Sequence, residues 1–161
     1  MNPTKQKGAV AQLVPGIYAD YLPPSLMDRE RDYFAYSVTE LNLAAAGVGT
    51  PTFAVQNDSD FLMTAVTGSA RDPAAPSVAF ATPAVTLQID DAGSGRNLFN
   101  QAVHWDCLVG TAQLPMVMPY PKLINRASTV TVTLTNLALA QAYDLRVTFH
   151  GFKVFTWKRG T

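Results

Sequence analysis

The residues with chemical reach in this chain are few and poorly spaced. His104 and Cys107 lie three apart, and His150 is the other histidine. A zinc site draws about four ligands. On a strand an odd spacing sends two side chains to opposite faces, so His104 and Cys107 would not close on one ion. The same spacing separates a cysteine nucleophile from a histidine base. Asp58 with Asp60, and Asp90 with Asp91, offer carboxylates to Ca²⁺. Calcium wants about six to eight oxygens, and neither pair sits in a recognisable calcium loop; turn capping by Asp and Asn is the plainer reading. Gly93-Ser94-Gly95-Arg96 has the glycines of a phosphate loop but not its Gly-Lys-Ser/Thr ending, and no helical pattern follows it. A loop corner that exposes Arg96 to a carboxylate of a neighbouring chain fits better. Lys153, Lys158 and Arg159 surround Trp157 with a small basic end, too few charges to hold nucleic acid strongly. No acid–base or nucleophile pair survives these checks, so the expectation is a non-enzyme with no catalytic residues, cofactor or metal.

The elements that must carry these residues are strands. From Ser128 to Asn136, Thr129, Thr131, Thr133 and Thr135 alternate with Val130, Val132 and Leu134. Period-two alternation makes one apolar face and one threonine face, which helical spacing cannot do. The apolar face is expected to meet Leu145, Val147 and Phe149 of the last strand. Other strands are expected at Tyr33–Ala44, from Phe53, at Phe61–Val66, at Val85–Ile89 and at Val103–Val109. The apolar parity of the first strand switches near Thr39-Glu40, and that of the last near Gly151, as β-bulges would produce. Gly68–Ala84 reads as a loop, and Pro115, Pro119 and Pro121 read as an extended connection. Residues 1–32 differ from the rest: Pro3, Pro15, Pro23 and Pro24 interrupt them, Ser25 could cap a short turn over Leu26–Asp32, and Tyr18, Tyr21 and Leu22 could dock on a surface. The expected organisation is an extended N-terminal arm, 1–32, and an all-β domain, 33–161, built as a β-sandwich or jelly roll.

Composition narrows the partners. The chain has 161 residues, one domain's worth, and 12 basic against 12 acidic residues. Zero net charge argues against general nucleic-acid binding and permits packing against copies or partners. Charged residues are 15%, against about 25% in a typical domain; a surface this poor in charge suits coverage by neighbours. One cysteine excludes an intrachain disulfide. The start lacks a signal-peptide core, and no apolar run reaches the roughly 18 residues of a membrane span, so a protein made and kept soluble is expected.

Several segments taken together resemble a family. They are the arm from Tyr18 to Leu26, Asp32-Tyr33-Phe34-Ala35-Tyr36-Ser37, Asn57-Asp58-Ser59-Asp60-Phe61, Gly93-Ser94-Gly95-Arg96, Pro119-Tyr120-Pro121, Val130–Asn136, and Phe149-His150-Gly151-Phe152-Lys153-Val154-Phe155. In this order, from about residue 15 onwards, the chain resembles the capsid decoration (cement) or minor capsid proteins of tailed bacteriophages. The resemblance implies a jelly-roll fold and a homo-oligomer, dimer or trimer. It also implies synthesis in the host cytoplasm and a place on the capsid exterior, bound to the major capsid protein. It transfers no functional residue. Contact residues suggested by the chain's own pattern are Tyr18, Tyr21, Leu22, Arg96, Thr131, Thr133 and Trp157. Two alternatives stay open: a head–tail connector or tail-fibre adaptor, and a carbohydrate-binding module using Trp105, Trp157 and Tyr120.

Overall fold

The structure, a computed structural model, describes residues 29–158. They form two antiparallel sheets packed as an all-β sandwich. In chain order the strands are β1 (Arg29–Leu43), β2 (Val48–Gly49), β3 (Thr52–Ala54), β4 (Ser59–Arg71), β5 (Ala79–Phe80), β6 (Val85–Asp91), β7 (Arg96–Asn97), β8 (Val103–His104), β9 (Met116–Ile124), β10 (Thr129–Asn136) and β11 (Tyr143–Lys158), with one helical turn, α1 (Trp105–Leu108), after β8. Sheet A runs β1-β11-β4, with β5 and β9 along the far side of β4. Sheet B places β10 and β6 at its centre, β2 and β3 beside β10, and β7 and β8 beside β6.

Alternation builds the core. Val130, Val132 and Leu134 of β10 and Val85, Leu87 and Ile89 of β6 turn inward from sheet B. Tyr36, Val38, Phe61, Val66, Leu145, Val147 and Phe149 turn inward from sheet A. Aromatic rings lock the two layers: Phe53 stands 5.3 Å from Phe149 and 4.8 Å from Tyr36, and Phe61 meets Tyr36 edge-on at 4.9 Å. Such pairs add about 0.5–1.5 kcal/mol beyond their buried area. The threonine strand does meet Leu145, Val147 and Phe149 in one core, as its pattern predicts.

The first expected bulge exists; the second does not lie in the last strand. Between Glu40 and Leu43, β1 has one residue more than its partner β11. Asn42 takes the left-handed backbone this needs (φ 53°), and its N–H donates to the Asp144 carboxylate at 2.7 Å. The parity switch buries Leu43 but leaves Leu41 at 68% exposure, so Leu41 is not a core residue. The register shift opposite His150 and Gly151 puts the extra residue, Thr64, in β4. Strand β11 keeps its register with β1, so Phe152 and Val154 face outward and the expected parity switch in the last strand does not occur. A Cβ on Gly151 would sit 2.0 Å from the Leu62 carbonyl oxygen, so the close approach of β4 requires glycine there.

Four further expectations need correction. The sheet begins at Arg29, so Arg29–Asp32 belong to β1 and not to an arm or a helical turn; pairing with β11 from Arg29↔Lys158 holds them extended. Gly68–Arg71 are not loop: β4 continues to Arg71 against Leu145 and Asp144. Met116–Ile124 is a strand despite Pro119 and Pro121, because it lies on a sheet edge where missing N–H donors cost little. Val103–Val109 is not one strand. After His104 the chain makes a helical turn that buries Trp105 and Leu108, and the Val109 N–H bonds the Trp105 carbonyl at 2.8 Å. The apolar spacing 105, 108, 109 is helical, and it outweighs the strand-like composition.

Candidate interaction surfaces

The residues singled out from the sequence do not converge on one place. Tyr18, Tyr21 and Leu22 lie outside the described residues. Thr131 and Thr133 point outward from β10 in the middle of sheet B, each half-buried between its neighbours. Arg96 opens β7 at the edge of the same sheet, its backbone paired with Asp91. Trp157 lies near the end of β11 in sheet A, 49% exposed. The aromatic trio proposed for sugars also divides: Tyr120 is exposed on β9, whereas Trp105 is 3% exposed and belongs to the core. Its ring lies close against Gly68 of β4, where a Cβ would come within 2.8 Å.

The outward face of sheet A carries a mixed aromatic and polar group. Odd-numbered residues of β1 face outward there, because Tyr36 and Val38 face the core. Tyr33, 64% exposed, stands opposite Phe152 and meets its ring edge-on at 6.4 Å. Its hydroxyl is 2.7 Å from His150 Nδ1, while Thr67 Oγ1 is 2.8 Å from His150 Nε2. A neutral imidazole has one donor and one acceptor nitrogen, and either hydroxyl can serve either role, so this chain satisfies the ring in both tautomers. Leu62 and Val154 form a small buried cluster with Leu123, separate from the main core. The arrangement joins β1, β11 and β4 across the sheet. A Thr–His–Tyr chain has the outline of an activated nucleophile, but its three members lie on a sheet face and each is satisfied by the next, which suits a structural brace.

At one end of sheet A, Phe155 and Trp157 stack at 4.5 Å, and Trp157 Nε1 donates to the Glu30 carboxylate at 2.9 Å. Beside them runs a groove lined by Arg29, Asp60, Asn125, Arg126, Phe155 and Thr156. The Asp60 carboxylate accepts the Arg126 N–H at 2.8 Å. On the core side of this end Lys153 is 7% exposed. Its ammonium donates to the Gln56 carboxamide, pairs with Asp58 at 3.5 Å and lies 4.5 Å from the centre of the Phe34 ring. A buried ammonium needs this set of partners to offset its lost hydration. A hydrogen bond from Ser59, together with Lys153, holds the Asp58 carboxyl below the usual carboxylate range. Burial pushes the Tyr36 phenol up, although the Gln56 N–H donates to it at 3.0 Å.

The sequence reading missed the polar anchors at both ends of the threonine strand. At its start, Ser128 Oγ donates to the buried Asp91 carboxylate at 2.5 Å, Ser94 Oγ donates to the same carboxylate at 2.7 Å, and the Gly93 N–H reaches Asp91 at 3.1 Å and Ser128 at 2.9 Å. Burial alone would raise the Asp91 carboxyl; the bonds from Ser128, Ser94 and the Gly93 and Ser94 amides outweigh it and hold it below the usual range. Asp91 therefore locks this turn. At the strand's end Asn136, 1% exposed, donates to the Ala44 and Gln141 carbonyls at 2.9 and 2.8 Å and accepts the Ala138 N–H at 2.9 Å. The signal available in sequence was the polar residue closing each end of an apolar alternation.

His104 and Cys107 are both exposed around α1, so the strand-spacing argument against their pairing does not apply. Among the described residues no three His, Cys, Asp or Glu side chains stand together as a metal site. Comparison with known protein families finds no matching family model, and comparison with curated proteins finds no matching relative.

Proposed function

We propose that this chain is a structural virion protein of a tailed bacteriophage that decorates and stabilises the capsid as a cement or minor capsid protein. The observation that carries the proposal is the nesting of the strands. The first strand pairs with the last (β1–β11), and the β2/β3 segment pairs with β10. Then β4 pairs with β9, and β6 with β7 and β8. A chain folded back on itself and then wrapped into two sheets in this nested order supports the jelly-roll reading, an architecture used by viral capsid and lectin domains. The step from architecture to role is an analogy of fold joined to the sequence resemblance. The large uncharged outer face of β10 and the apolar residues exposed on β9 and the loops, Leu114, Val117 and Leu139, support a surface that works against neighbours. In this role the partners are the major capsid protein and further copies of the chain. Repetition over many copies turns weak contacts into firm attachment.

Mass spectrometry of purified particles tests the proposal. The chain is expected in amounts comparable to the shell protein. About six to twelve copies per particle would move it to the head–tail connector, and its absence from particles would overturn the virion role. A carbohydrate-binding reading draws on the exposed Trp157 beside the Arg29–Arg126 groove. A glycan array in which Trp157→Ala and wild type are equally silent removes that reading.

A further inference from the structure

The free edges of the two sheets are unequal. Sheet B ends on strands of two or three residues, Val48–Gly49 and Thr52–Ala54 on one side, Arg96–Asn97 and Val103–His104 on the other. One side of sheet A ends on β9, interrupted by Pro119, Pro121 and a register shift against β4. Short strands, prolines and irregular pairing are the devices that keep a sheet edge from recruiting another strand. The opposite side ends on β1, which has 15 residues. It keeps unbroken register with β11 from Arg31 to Glu40, and its other edge meets no strand among the described residues. Its middle, Tyr33-Phe34-Ala35-Tyr36-Ser37-Val38-Thr39, has no proline, glycine or charge and is rich in aromatic and β-branched residues. That is the composition of a pairing strand, left without the protection given to every other edge.

We propose that this edge pairs with the β1 edge of a second copy, antiparallel about a two-fold axis through Ser37. For two sheets to continue as one, opposed residues must face the same side, so the axis passes through a residue. An axis through Ala35 sets Glu30 opposite Glu40, and one through Tyr36 sets Asp32 opposite Glu40; both oppose like charges directly, which is unfavourable. Axes through Phe34 or Val38 leave Tyr33 and Leu41 facing other residues. The Ser37 axis opposes Asp32 to Asn42, Glu40 to Phe34, and the two exposed apolar side chains of the strand, Tyr33 and Leu41, to each other across both halves of the interface. Ser37 itself is exposed, on the outward side beside Thr148. The pairing joins two copies of sheet A into one continuous sheet. It rests only on the self-association within the proposed function, so a monomeric free chain overturns it while particle binding stays measurable separately.

The experiment uses the full chain. Wild type is expected to sediment as a dimer at micromolar concentration, and a monomer throughout that range overturns the proposal. With Cys107→Ser removing the exposed native thiol, Ser37→Cys is expected to cross-link two chains on mild oxidation, because opposed Cα atoms in such a pair stand about 5 Å apart. Thr39→Cys is expected not to, since the two copies of residue 39 would lie about 13 Å apart. Equal cross-linking at both positions overturns the register. Ser37→Lys sets two ammonium groups face to face and is expected to weaken dimerisation about tenfold with an unchanged circular dichroism spectrum. Mixing it with Ser37→Glu is expected to restore dimers, and failure of that rescue overturns the pairing.

Discussion

Sheet B and sheet A solve the same problem in different ways. Sheet B is built from seven- and eight-residue central strands, β6 and β10, in strict alternation, with very short strands on both flanks. The outward side of these two central strands is polar, and their order is secured at the strand ends by Asp91, Ser128 and Asn136. Sheet A uses three long strands, β1, β4 and β11, with bulges in β1 and β4 and with aromatic, histidine and lysine side chains on both sides. The difference teaches that a short regular strand needs anchors at its ends, whereas long paired strands need internal bulges so that their twist can follow the facing sheet.

Four tests, made on five variants, sharpen or break this comparison. The largest effect is expected for Phe149→Ala, in the part of sheet A shared by both layers. Removing a fully buried ring that packs on Phe53 should cost about 3–5 kcal/mol in urea unfolding. Next come the two devices themselves. Gly151→Ala forces a Cβ onto the Leu62 carbonyl and should cost about 2–4 kcal/mol. Asn136→Ala strands two loop carbonyls and an amide and should cost a similar amount. If Asn136→Ala unfolds at the wild-type midpoint, the idea that sheet B is held by its strand ends is wrong.

The third test is one of pH. The folded Asp91 carboxyl is held below its ordinary value, so its contribution is fully present above the unfolded carboxylate pKa of about 4 and is lost as pH falls through the folded value. Wild type should therefore lose more stability between pH 6 and pH 3 (roughly spanning that titration) than Asp91→Asn does, measured as the shift in urea midpoint. Equal shifts would remove Asp91 as the anchor. The smallest effect is expected for Thr131→Lys with Thr133→Lys, within about 0.5 kcal/mol of wild type, because both side chains lie on the outward face. If that pair still binds particles normally, the threonine face is not the contact surface.

Legibility in the sequence followed regularity. The alternation of Val130, Val132 and Leu134 with threonines, and of Val85, Leu87 and Ile89 with Thr86 and Gln88, identified both central strands of sheet B. The parity switch near Glu40 was readable because a bulge leaves a period-two pattern out of phase, whereas the apolar Phe152 and Val154 mimicked a second switch by lying on the outward face of a strand that keeps its parity. Trp105 was misread because a four-residue helix shows barely one period of its pattern, too little to overrule neighbours that look like strand. Pro119 and Pro121 hid β9, since a proline forbids a central strand but not an edge, and edge position is not written locally. The candidate contact residues were the least legible, because contact depends on which face is left over after the core has formed.

Local sequence therefore determined the class of structure: period two, turn residues and the want of a long amphipathic helix admit an all-β sandwich and little else. Only tertiary structure decided which residues meet. Asp91 finds Ser128, Lys153 finds Gln56, and Tyr33, His150 and Thr67 form one chain across three strands. The physical reason is range. Side-chain alternation is set by the backbone within a few residues, whereas strand order, edges and polar partners depend on contacts between segments distant in sequence.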